Sequence, residues 1–295
     1  MISGGAKSEN GERIAFAPQA TEAAALVSGI FSFVPDSGIA ANPVGERRRP
    51  KSGQRGEAMG ARDGKSYVSR LKAHPRDVWV AGRKVGDVTT DPVFRRPVAA
   101  MARLYDCQTD PELRSIMTYL PNDADAPAGV SFIIPRSHVD LVHRRKAMRV
   151  WAEATFGTMG RSPDFLNAVL ASMADAPEFF AEGGAKFADN VQRYYRYCRD
   201  NDLFLTHTLV NPPVDRSKSA SQQADEYAYL GIVEEAKDGL IVRGAKMLAT
   251  HGPTADEIVV YPLPFLGAPR RGEIRAGLRH PGLYAGLALY LPRAV

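Results

Sequence analysis

Cysteine is scarce: Cys107 and Cys198 are the only two in 295 residues, and they lie far apart. Two thiols so separated build no disulfide framework and suit a reducing compartment. The six histidines (74, 138, 143, 207, 251 and 280) show neither HExxH nor a His–Cys grouping at zinc spacing, so no metal site is expected. Long apolar runs are missing as well. The longest near the N-terminus, residues 23–34, is too short for a membrane span. Glu9, Glu12 and Glu22 precede it, where a secretory leader would carry basic residues. A cytoplasmic chain with no membrane partner is expected. The sequence also lacks GxGxxG, a P-loop and GxSxG, which argues against the common dinucleotide, nucleotide-triphosphate and α/β-hydrolase chemistries. Nor is there a field of one charge. The net charge is +5, yet residues 59–263 carry 26 basic and 26 acidic side chains, and residues 264–295 carry 5 against 1. A nucleic-acid binder needs a basic stripe on a folded element, so no nucleic-acid partner is expected.

What is present is ordinary globular composition, 44% hydrophobic and 24% charged. Residues 1–58 read as a disordered segment. The stretch around Glu46-Arg47-Arg48-Arg49-Pro50-Lys51 is linker-like, and Met59 opens a different texture. From there the pattern predicts a small hairpin, 78–80 with 85–88, around Gly82. It predicts a helix over 97–108 with Val98, Met101, Leu104 and Tyr105 on one face. Ser137 and Asp140 predict a capped helix running to about Phe156. Its basic side (His143, Arg144, Arg145, Lys146, Arg149) reads as a solvated face rather than a phosphate site. Ser162-Pro163-Asp164 predicts another helix start, with Ser162 as the cap. Residues 185–200 predict a helix whose stripe of Phe187, Val191, Tyr194, Tyr195 and Cys198 is core, with Cys198 an inert buried thiol. After Asp202 the texture changes to strands: 203–210, 227–235 and 240–243 around an Asp-Gly turn, 247–250, and 258–261. The expected class is therefore α+β, with a helical domain over 59–203 followed by an antiparallel β domain over 204–263. Residues 264–295 break the pattern and read as an atypical tail, as a shifted reading frame would produce.

Three places could carry chemistry. Arg161 sits just before a helix start, beside the positive end of the helix dipole, so its guanidinium calls for an anion. A surface carboxylate or a ligand would serve, and local pattern leaves both open. His207 precedes Asn211-Pro212-Pro213, where two prolines remove two N–H donors and stiffen the backbone. Its near-neutral pKa suits proton transfer, although a lone histidine is more often a satisfied core residue. Gly244-Ala245-Lys246 to Thr250-His251-Gly252 reads as a strand ending in a hydroxyl and free backbone N–H groups, or as a plain strand-to-turn transition.

These pieces occur together and in order. Met159-Gly160-Arg161-Ser162-Pro163-Asp164 is followed by His207-x-x-Val210-Asn211-Pro212-Pro213-x-Asp215-Arg216, and then by Gly244-Ala245-Lys246-x-x-Ala249-Thr250. With the opening segment 85–95 and Leu104-Tyr105-Asp106, they closely resemble the 4-hydroxyphenylacetate 3-monooxygenase family over about residues 65–263. The resemblance implies an acyl-CoA dehydrogenase-like fold and use of reduced FAD from a separate flavin reductase. It implies O2 as co-substrate, hydroxylation of a phenol beside its hydroxyl, and a homo-oligomer, tetrameric in the full-length family. It places Arg161, Phe165 and His207 against the phenol, with Arg161 and His207 catalytic. It places His207, Thr208, Leu209, Pro213, Val214, Asp215, Arg216 and Thr250 along the flavin.

Two departures stand out. Phe165 replaces a tyrosine common in enzymes for 4-hydroxyphenylacetate, which opens the identity of the phenol to halophenols and nitrophenols. The family's C-terminal helical bundle is missing from this sequence, so an inactive fragment is a competing reading. A 4-hydroxybutyryl-CoA dehydratase-like enzyme ranks lower, because its iron–sulfur cluster needs more thiolates than two distant cysteines supply.

Overall fold

The structure is a computed structural model. It describes residues 60–260 apart from 183, 216, 219–221, 226, 237–238 and 248, together with 278–279 and 288–291. The expectations for residues 1–58 and for most of 264–295 lie outside the described residues.

Helix α1 (Gly64–Ala73) is capped by Asp63, whose carboxylate accepts the Ser66 N–H at 2.7 Å. Strands β1 (Asp77–Val80) and β2 (Arg83–Val85) form the predicted hairpin. The turn residues Ala81 and Gly82 both have positive φ, 49° and 79°, as a two-residue turn matched to strand twist requires. Because that turn is so tight, β2 starts earlier than the predicted 85–88. Helix α2 (Arg95–Thr109) buries Val98, Met101, Leu104 and Tyr105 as expected. A short helix α3 (Arg114–Met117) and the pair β3 (Thr118–Tyr119) and β4 (Ala128–Gly129) follow.

Helix α4 (His138–Ala154) carries the reciprocal Ser137–Asp140 capping box. Its basic residue Arg149 pairs with Glu153 of the same helix at 2.6 Å on the exposed side. Helix α5 (Asp164–Ala174) corrects an expectation: Pro163 takes the cap position and no side chain caps the end. Proline already holds helical φ, −56°, so the chain turns helical at that residue. Ser162 contributes its backbone carbonyl, which accepts the Phe165 N–H at 3.2 Å. After α6 (Pro177–Ala181), helix α7 (Ala185–Asp200) buries the whole predicted stripe, and burial raises the Cys198 thiol well above its ordinary pKa.

The strand region departs from the expected antiparallel arrangement. Strands β6 (Gly231–Ala236) and β7 (Gly239–Arg243) form the antiparallel hairpin, but β5 (Leu205–Thr208) pairs in parallel with β8 (Glu257–Val260), His207 opposite Val259. Parallel pairing needs a long connection, and residues 209–256 supply it. Strand β9 (Leu278–Arg279) joins β8 antiparallel, and β10 (Ala288–Leu291) runs parallel to β1. Residues 247–250 are not the expected strand. Met247 bridges Val210 alone, and a turn closes at His251, whose carbonyl accepts the N–H groups of Thr254 and Ala255 at 2.8 Å.

Two apolar clusters form the core. One joins α5, α6 and α7 to Leu203, Leu205 and Val259; the other joins α1, α2, α4 and the first hairpin to Phe204 and Ala255. Extended backbone sends successive side chains to opposite sides, so residues 203–205 reach both clusters at once. A buried polar clasp reinforces this junction. Asp256 pairs with Arg62 and Arg70 and accepts the Phe204 N–H at 2.8 Å. Arg62 lies over the Tyr105 ring at 4.4 Å, and its N–H donates to Asp202 at 3.0 Å. Burial opposes the Asp256 charge, but the two arginines hold its pKa below the usual carboxylate range. Among the described residues no helix is long and apolar enough to cross a membrane.

Candidate functional site

The site grows from the meeting of α5 and β5. The turn after α4 delivers Arg161, and the first turn of α5 presents Phe165, so both lie at one helix end. The Arg161 guanidinium stands over the Phe165 ring at 4.7 Å. The Phe165 ring in turn meets the His207 imidazole, centroids 5.6 Å apart and planes at 46°. Parallel pairing with β8 holds His207 in the middle of β5. The three residues thus form one series: cation, apolar ring, imidazole.

Arg161 is exposed, and its Nη1 donates to the neighbouring Gly160 carbonyl at 3.1 Å. Among the described residues it has no carboxylate within ion-pair distance. Of the two readings open in the sequence, the surface salt bridge is therefore unsupported. His207 is half-buried. Burial first, and the Arg161 cation second, push its pKa below the ordinary 6.5. The imidazole is neutral at neutral pH and able to accept a proton. Phe165 is 40% exposed, a large open apolar ring beside two polar groups.

The other expected residues divide. Thr208 is buried and its hydroxyl donates to the Met247 carbonyl at 2.5 Å, so that hydroxyl serves the local packing. The Thr206 hydroxyl donates to the Thr250 carbonyl, which sets exposed Thr250 alongside β5. The Leu209 carbonyl accepts the Lys246 ammonium at 3.1 Å. Pro213 and Val214 are exposed. The Asp215 carboxylate accepts the Ser217 N–H at 3.0 Å and its hydroxyl at 2.6 Å, which hold its pKa low. Arg216 lies outside the described residues.

Two residues escaped the sequence reading. Asn211 has a buried Oδ1 with no partner among the described residues. It was visible only as the residue before two prolines. Lys246 was visible as part of Gly244-Ala245-Lys246, but nothing in the pattern marked its ammonium as half-buried. Among the described residues no group of three His, Cys, Asp or Glu is placed to hold a metal ion.

The chain is 46% identical over 208 residues to the 4-hydroxyphenylacetate 3-monooxygenase oxygenase component of Thermus thermophilus, covering 70% of this chain and 42% of the relative. It superposes with a TM-score of 0.71 and 43% identity on a crystal structure of such an oxygenase component complexed with FAD and 4-hydroxyphenylacetate, covering 78% of this chain and 47% of that one. An archaeal 4-hydroxybutyryl-CoA dehydratase from N. maritimus, 22% identical with a TM-score of 0.59, shares the fold alone. The chain thus spans less than half the length of the oxygenase relatives it matches. The family model described as 4-hydroxyphenylacetate 3-hydroxylase N terminal matches residues 63–273, and the chain belongs to that family.

Proposed function

We propose that this chain carries the substrate-facing part of the oxygenase of a two-component flavin-dependent phenol hydroxylase. The observation that supports it is the series Arg161–Phe165–His207, an exposed cation and a neutral imidazole flanking an exposed aromatic ring. A phenol docked beside this series would meet a cation, a base and an apolar ring face. The His207 imidazole takes the phenolic proton. Losing that proton raises electron density at the ring carbon beside the oxygen, and the Arg161 cation stabilises the phenolate that results. Phe165 packs against the ring face and excludes water. A phenylalanine here gives no hydroxyl to the substrate, which leaves halophenols and nitrophenols as substrates beside 4-hydroxyphenylacetate.

The residues also fit a flavin. The Asn211 Oδ1, buried and with no partner among the described residues, is an acceptor able to take an N–H, and it lies in sequence between His207–Leu209 and Pro213–Asp215. These two segments and Thr250 would hold FAD. When bound in reduced form, FAD supplies, with O2, the oxygen that is transferred. A separate flavin reductase would deliver it, and the oxygenase would work as a homo-oligomer. The arrangement expected is acyl-CoA dehydrogenase-like, helical over 59–203 and β over 204–263.

The test is product formation. The purified chain is combined with a flavin reductase, NADH, FAD, O2 and a panel of phenols, and the catechol is measured by chromatography. Arg161→Ala and His207→Ala are each expected to lower the rate by roughly 100-fold or more. Catechol formed equally by both variants would overturn the assignment. A folded chain that forms none with any phenol would support the fragment reading instead.

A further inference from the structure

Lys246 is a half-buried cation with no compensating charge among the described residues. Its ammonium donates to the Leu209 carbonyl at 3.1 Å, and among the described residues no carboxylate lies within ion-pair distance. An ammonium carries three donors, and one acceptor is accounted for. Burial pushes its pKa down to about 8, so it is still charged at neutral pH. Holding a charge in this state is unfavourable unless an anion arrives.

Its position is built. Met247 N–H donates to the Val210 carbonyl at 2.8 Å, and Thr208 donates to the Met247 carbonyl. Leu230 N–H donates to the Ala245 carbonyl at 3.1 Å. Gly244 has φ 112°, and a Cβ there would lie 2.2 Å from the Tyr229 carbonyl oxygen. A side chain at 244 is therefore excluded, and the backbone pinches inward just before Lys246. The lysine is thus aimed at the strand end that carries His207, Thr208 and Leu209, two residues from the imidazole.

We propose that Lys246 binds an anionic group of the flavin cofactor, either its pyrophosphate or the negatively charged reduced ring. This rests on the flavin function proposed above. A mere tie to Leu209 would need a neutral donor only, whereas anion binding needs the charge.

Anaerobic titration of the full chain with reduced FAD and with oxidised FAD tests it, using Lys246→Met, Lys246→Gln and Lys246→Arg. Circular dichroism checks folding, and if Lys246→Met does not fold, the Gln and Arg variants decide. Met and Gln are expected to weaken reduced FAD by roughly 10-fold or more, with Arg within about 3-fold of the native chain. Equal loss for oxidised FAD places the cation on the pyrophosphate. A smaller loss for oxidised FAD places it on the reduced ring. Native affinity in the Gln variant overturns the proposal. No flavin binding by the native chain overturns the flavin function itself, and this inference with it.

Discussion

Glu257 should make stability depend on pH. Its carboxyl is fully enclosed at the start of β8, and the Tyr194 hydroxyl donates to Oε2 at 3.0 Å. Burial, with the Asp256 charge opposing it as well, raises its pKa from an ordinary 4.5 to about 7. The folded chain therefore keeps the proton over a range where the unfolded chain has lost it. The contribution is fully present below pH 4.5, falls as pH rises through 7, and then levels off. Each pKa unit is about 1.4 kcal/mol, so between pH 5 and pH 8 this group alone removes about 2–3 kcal/mol. Glu257→Gln keeps an acceptor for Tyr194 and removes the titration. Urea unfolding, followed by the fluorescence of buried Trp151, measures both proteins at pH 5 and pH 8. The variant should gain about 2–3 kcal/mol on the native chain across that interval. Parallel pH profiles for the two proteins would refute the reasoning.

Phe204→Ala should destabilise by about 3–5 kcal/mol, because the ring is 1% exposed within the second cluster; urea midpoints measure it. Arg62→Met should cost about 3–5 kcal/mol by leaving buried Asp256 with Arg70 alone, and a loss below about 1 kcal/mol would show the clasp to be ornamental. His207 should titrate below 6.5 by NMR and move upward in Arg161→Ala, by the smaller, Coulombic part of its shift; an unmoved value would mean that the cation does not reach the imidazole.

Much of the helical half was legible because its signals are local. Periodicity marked the buried faces of α2 and α7, and the Ser137–Asp140 pair is a reciprocal contact within one turn. The strand half was less so. Alternation announces strands but carries no direction, so the parallel β5–β8 pair was invisible beside the obvious Asp-Gly hairpin. Residues 247–250 have strand composition, yet His251 takes positive φ and closes a turn, which no alternation rule anticipates. For the site, Arg161, Phe165 and His207 were named by motif, and the structure adds that they stack in that order. The charge states of Lys246 and Glu257 were beyond any local reading, since burial from distant elements sets them.

The parallel pair has a consequence for redesign. Both ends of the 209–256 excursion are bolted down, one by the β5–β8 ladder and the other by the Asp256 clasp. Pro213–Asp215, Lys246 and Thr250 all hang between those bolts. Closing a longer excursion adds little, about 0.6 kcal/mol for a doubling of its length. The excursion can therefore be lengthened or re-cut while the stack at Arg161, Phe165 and His207 stays in place, so on the function proposed above its two parts can be tuned separately.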